Sequence, residues 1–135
     1  MNPKLQNILA IIAGWLVMVA VGAALFPLIK ILYQGNYSYS FKNGMQINHF
    51  KITLYDFLWT GINAFTGGFV TCWIATERKI LYSLLSGLII FVLLIITAIV
   101  MGEFGLWGFL SALVFMPFTL MGGIVRKIVE NKRTV

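Results

Sequence analysis

Four stretches of this chain, residues 6–29, 57–76, 80–102 and 104–125, contain no Asp, Glu, Lys or Arg. Each reaches the roughly 20 residues that a helix needs to cross about 30 Å of hydrocarbon. Together they take up most of the 135 residues and leave no room for a separate soluble domain. The composition agrees, at 60% apolar and only 10% charged, where a soluble domain runs near roughly 45–50% and about 25%. The chain reads as one all-α integral membrane domain over residues 1–135. The expected architecture is a four-transmembrane-helix bundle with spans at about 6–31, 53–76, 80–102 and 104–127.

Only Glu77-Arg78-Lys79 separates the second stretch from the third. Only Glu103, with Gly102 and Gly105 beside it, separates the third from the fourth, so both pairs form tight antiparallel hairpins. The first stretch offers Gly22-Ala23-Ala24 as small residues near a cleavage point. A secretory apolar region, however, runs to about 7–15 residues. This one continues to Ile29 with Trp15 and Phe26 inside and Pro27 near its end, and it reads as a retained span.

Net charge is +6, and the cations flank the apolar runs rather than forming a stripe with interleaved aromatics, which argues against nucleic acid as a partner. Their placement gives an orientation instead. With four spans, Lys4, Arg78, Lys79, Arg126, Lys127, Lys132 and Arg133 share one side, and Lys30, Lys42 and Lys51 share the other. Both termini are therefore expected in the cytoplasm of a bacterial cell, the protein being multi-pass in the inner membrane, with residues 32–52 outside. Residues 128–133 continue helically from the fourth span, with basic residues placed to meet anionic headgroups.

The outer loop alternates aromatic and polar residues from Tyr37 to Phe50 around Asn43-Gly44, a hairpin signal. A two-residue turn mixes polar and apolar side chains on both faces. A three-residue turn over Lys42, Asn43 and Gly44 pairs Phe41 with Met45, Tyr39 with Ile47 and Tyr37 with His49, and gathers the large side chains on one face. A short extracytoplasmic β-hairpin in that register is expected, its aromatic face lying on the helix ends or on a partner. The alternative is a loop that alternates without pairing.

Helices in lipid associate through small residues that let backbones approach. The second span carries Ala64, Gly68, Cys72 and Thr76 at steps of four with Gly67 beside them, and the fourth carries Gly122 and Gly123. These are the expected packing residues, with the second helix central. The pattern resembles that of small, largely uncharacterised bacterial inner-membrane proteins of four helices. In those, the second span reads Gly-Gly, then Ile-Ala, then a short basic turn, and the fourth ends in Gly-Gly before basic residues. Here those positions are Gly67, Gly68, Ile74, Ala75, Gly122 and Gly123. The resemblance covers two half-spans and implies the fold, with no activity attached.

One polar stripe runs along the second helix: Asp56, Thr60, Asn63 and Gly67 fall on a single face. An amide or carboxylate in a span is costly unless it faces the bundle or a wet cavity. With Lys30 at the level of Asp56 and His49 in the loop, Asp56, Thr60 and Asn63 make a candidate outer-facing polar site. The bland alternative is a Lys30–Asp56 ion pair, or two end groups solvated independently. Cys72 is the only cysteine and there is one histidine, so no disulfide framework, metal cluster or catalytic constellation is expected, nor a cofactor. The leading functional expectation is an accessory or structural interaction subunit. Its partners would be the lipid bilayer together with further copies or a larger membrane protein. The alternative is an oligomeric minimal transporter or channel subunit that uses Asp56 and Asn63.

Overall fold

A computed structural model describes residues 2–33, 49–100, 102 and 106–133. The helices are α1 (Pro3–Tyr33), α2 (His49–Ile74), α3 (Lys79–Val100), α4 (Leu106–Leu113) and α5 (Phe115–Arg133). Among the described residues there is no strand. The last two segments form one helix bent at Val114, so the chain makes an all-helical, four-helix bundle. Two helical stretches, Pro3–Leu28 and Lys79–Val100, are long and apolar enough to cross a membrane.

Helix α1 opens on a cap written in its first residues. The Asn2 carboxamide accepts from the Lys4 N–H at 3.0 Å, and Pro3 occupies the first helical position, where a missing N–H costs nothing. Pro27 returns no N–H to the carbonyl of Ala23, yet the helix continues to Tyr33.

Helix ends differ from the sequence expectation in a consistent way. Residues 32–33 and 49–52 are helical rather than part of the outer loop, and His49, expected to face Tyr37 across a hairpin, is the first residue of α2. Charge marks where a helix leaves an apolar layer; it does not end the helix, because Lys and Asp both tolerate helical backbone. The proposed β-strands fall on residues 34–48 and lie outside the described residues. The fourth span, expected as one helix, is broken because Pro117 has no N–H to offer the carbonyl of Leu113. The ladder resumes one step later, where the Phe118 N–H donates to the Val114 carbonyl at 3.3 Å.

Helix α2 is central and packs mainly on α5 and α1, while α3 lies against α5 and more lightly on α2. The α2–α3 connection turns on Arg78, whose φ of 43° is left-handed, and its carbonyl accepts the Tyr82 N–H that opens α3. At the other end of α3, Gly102 takes a φ of 69° and donates its N–H to the Ile99 carbonyl at 3.1 Å.

Burial is inverted relative to a water-soluble bundle. The largest side chains that are fully buried are Thr71, Thr119, Cys72, Ser83 and Ser86. Trp15, Leu16, Val19, Phe26, Trp73 and Ile99 stand outward, between 47% and 62% exposed.

Candidate functional site

The α1–α2 contact is antiparallel and set by small residues. A side chain on Gly14 would meet Thr71, one on Gly67 would meet Met18, and one on Gly22 would meet Asn63 and Trp59. The Lys30 side chain is exposed, and the side chains of Asp56 and His49 lie outside the described residues. Of the expected polar stripe, Thr60 and Asn63 are buried, at 9% and 8% exposure, and Gly67 lies on the α1 side with Asn63.

Of the expected packing residues, Gly67 faces α1, whereas Gly68, Cys72, Gly122 and Gly123 meet at the crossing of α2 and α5. Ala64 and Cys72 are fully buried. A Cβ on Gly68 would strike the Thr119 backbone, and one on Gly122 would strike the Phe65 carbonyl, so α2 and α5 meet backbone to backbone; Gly61 beside Phe118 and Cys72 beside Gly123 show that the two run parallel. Ser83 of α3 fits between them: its hydroxyl donates to the Thr119 carbonyl at 2.6 Å, with the Gly68 carbonyl at 3.2 Å. Gly123 provides the space for that serine, since a Cβ there would come within 2.6 Å of its Oγ.

Two features were not read from the sequence. Near the N-terminus, the buried Asn7 carboxamide oxygen accepts from the Thr76 N–H at 3.0 Å and from its hydroxyl at 3.2 Å. Beside it, Gln6 Nε2 donates to the Ile74 carbonyl at 3.2 Å, so two adjacent amides of α1 satisfy groups left open where α2 ends. At the same end of the bundle Lys79 donates to Glu130 at 2.6 Å, tying the start of α3 to the end of α5, and Arg126 lies 5.8 Å from the Trp73 ring centre. The Lys79 hydrogen bond holds the Glu130 carboxyl below its usual range. The amide pair Gln6-Asn7 was the available signal for the first feature; nothing local to the sequence pairs Lys79 with Glu130.

At the opposite half, a cleft of about 410 Å³ opens between α1 and α2 and is closed behind by Ile90 and Phe115. Trp15, Met18, Val19, Ala23 and Phe26 make its apolar walls, and Trp59 and Asn63 contribute its polar groups. Trp59 Nε1 and Asn63 Oδ1 are both buried and have no hydrogen-bond partner. The stripe therefore separates, with Asn63 at this cleft and Thr60 buried outside its lining. Among the described residues no group of three or more His, Cys, Asp or Glu could hold a metal ion.

No family model, curated protein or solved structure matches the chain.

Proposed function

We propose that the chain is a four-span protein of a bacterial inner membrane, with both termini in the cytoplasm, that works as an accessory or structural interaction subunit. The observation that carries this reading is the inverted burial: serines, threonines and glycines inside, and the large aliphatic and aromatic side chains outside. In water such a bundle would leave its apolar surface exposed and gain little from its small core. In lipid the same arrangement is favourable, because close backbone approach and interhelical hydrogen bonds hold helices together there. Helix α2 and the bent fourth helix span as well in this reading, since Thr60, Asn63, Thr71 and Thr119 are buried inside the bundle rather than turned to its surface. Trp73 beside Arg126, and the cations beyond them, support a cytoplasmic boundary at that end.

The Ser83 hydroxyl is taken up by the Thr119 and Gly68 carbonyls across helices, and the Thr119 hydroxyl by the Phe115 carbonyl of its own helix, which supports an interaction role over a solute path through one copy. One observation favours the rival, an oligomeric transporter or channel subunit: the unpartnered Asn63 Oδ1. The deciding experiment replaces Asp56 by Asn and Asn63 by Leu and follows assembly and solute flux together. The interaction reading expects assembly with its partner or with further copies to persist in both variants. A measured flux that disappears in both variants while assembly is intact contradicts it.

A further inference from the structure

Trp59 and Asn63 sit one turn apart on α2, a separation that puts both on the same face of a helix. Both reach the same point of α1. An ideal Cβ on Gly22 would lie 3.2 Å from Asn63 Nδ2 and 3.7 Å from Trp59 Cζ2, the ring carbon on the same edge as the indole nitrogen. The absence of a side chain at Gly22 lets these two polar edges approach the wall of the cleft together. One is a buried donor that gives its hydrogen to nothing, and the other a buried acceptor that receives none. Asn63 is 8% exposed, and in the membrane reading the cleft opens on hydrocarbon, which offers its oxygen no partner; a hydroxyl reaches that oxygen once the carboxamide turns toward the cleft. An unmade bond of this kind costs about 1–3 kcal/mol, and a native structure rarely leaves two side by side.

The rest of the lining is apolar and uncharged. A phosphate or ammonium head would give up its hydration there with no counter-charge. A ketone or ester would accept from the indole and leave Asn63 Oδ1 still unpaired. A hydroxyl both donates and accepts. The cleft volume falls within the roughly 300–1,000 Å³ typical of small-molecule sites.

We propose that the cleft between α1 and α2 binds a neutral amphiphile with an apolar body and a hydroxyl head, the hydroxyl accepting from Trp59 Nε1 and donating to Asn63 Oδ1. The apolar body lies along Met18, Val19 and Phe26. The proposal rests on the membrane reading above, from which such a molecule would enter sideways out of the lipid.

The test uses the full chain in phosphatidylcholine nanodiscs, with dodecanol carrying a diazirine as the photoreactive probe. Unlabelled dodecanol, its methyl ether, dodecane and dodecyl phosphate are the competitors. The expected result is labelling on α1 and α2, with dodecanol competing about 10-fold better than the ether or the alkane. That preference should fall to about 2-fold or less in N63L and W59F. Because the wild-type comparison among competitors needs no variant, a variant that fails to fold leaves the proposal falsifiable. Equal competition by alcohol and alkane overturns it, as does stronger competition by dodecyl phosphate. It is also overturned if dodecanol is without effect and the wild-type protein is a dimer that N63L dissociates, since a second copy then fills the cleft. A chain that does not float with liposomes would instead defeat the membrane reading, a separate and prior result.

Discussion

A methyl group on Gly68 would run into the backbone of Thr119, whereas the nearest atoms to one on Gly67 belong to the side chain of Met18. A side chain can be displaced by a rotamer change; a helix backbone cannot move without opening the α2–α5 crossing. Gly68→Ala should therefore cost about 2–3 kcal/mol or more of unfolding free energy in detergent, and Gly67→Ala less than Gly68→Ala. Equal losses at the two positions would contradict the crossing. At the other end of α2, Asn7→Ala removes the acceptor of two bonds from Thr76 and should cost about 1–2 kcal/mol in the same measurement. The small ridge on α2 was readable because its spacing of four is a property of one helix. The partners it meets were not, because Gly61 against Phe118, or Gly123 against Ser83, depends on how separate helices are set against each other. Asn7 was overlooked for a related reason: a polar residue near a terminus looks solvated until the end of another helix is placed beside it.

At the scale of elements, the number of helices and the two short connections followed from where charge interrupts apolar sequence. The helix ends flanking the outer loop did not, because α1 and α2 run on into polar sequence, whereas the continuation of α5 through residues 128–133 was legible. Backbone preferences govern those ends, and two are open to test. Arg78 pays for its left-handed conformation with a side-chain clash that glycine avoids, so Arg78→Gly should raise stability by about 0.5–1 kcal/mol. A loss of stability on that substitution would mean the arginine side chain makes a compensating contact. The second concerns the clasp between α3 and α5. Glu130 has its carboxyl held below the usual 4.5 by the Lys79 hydrogen bond. A depressed folded-state value means that the contribution to stability is present above the unfolded value and lost as pH falls through the folded one. The wild-type thermal midpoint should therefore decline toward that of Glu130→Gln once the pH drops below about 4.5. Midpoints that stay apart down to low pH would contradict the clasp.

For the molecule as a whole, the determining property is that its fully buried side chains are small or polar while most of its large apolar ones among the described residues face outward, Met18, Ile90 and Val114 being buried exceptions. Composition raised the expectation of a membrane protein, and the stripe of Thr60, Asn63 and Gly67 that of a face turned to neighbouring helices, where all three are buried. Neither could show that Asn63 would share its cleft with Trp59, a residue with no place in the polar pattern. The central claim is that all four helices cross the bilayer, including α2 with its polar face. Two crossings by the more apolar Pro3–Leu28 and Lys79–Val100 alone would also put residue 40 outside and residue 134 inside, but would leave the Glu77 turn outside as well. Single cysteines at Ser40, Glu77 and Thr134, probed from outside intact cells with an impermeant thiol reagent, separate the two arrangements directly. The account predicts labelling at residue 40 and protection at residues 77 and 134; labelling at residue 77 together with residue 40 would contradict it.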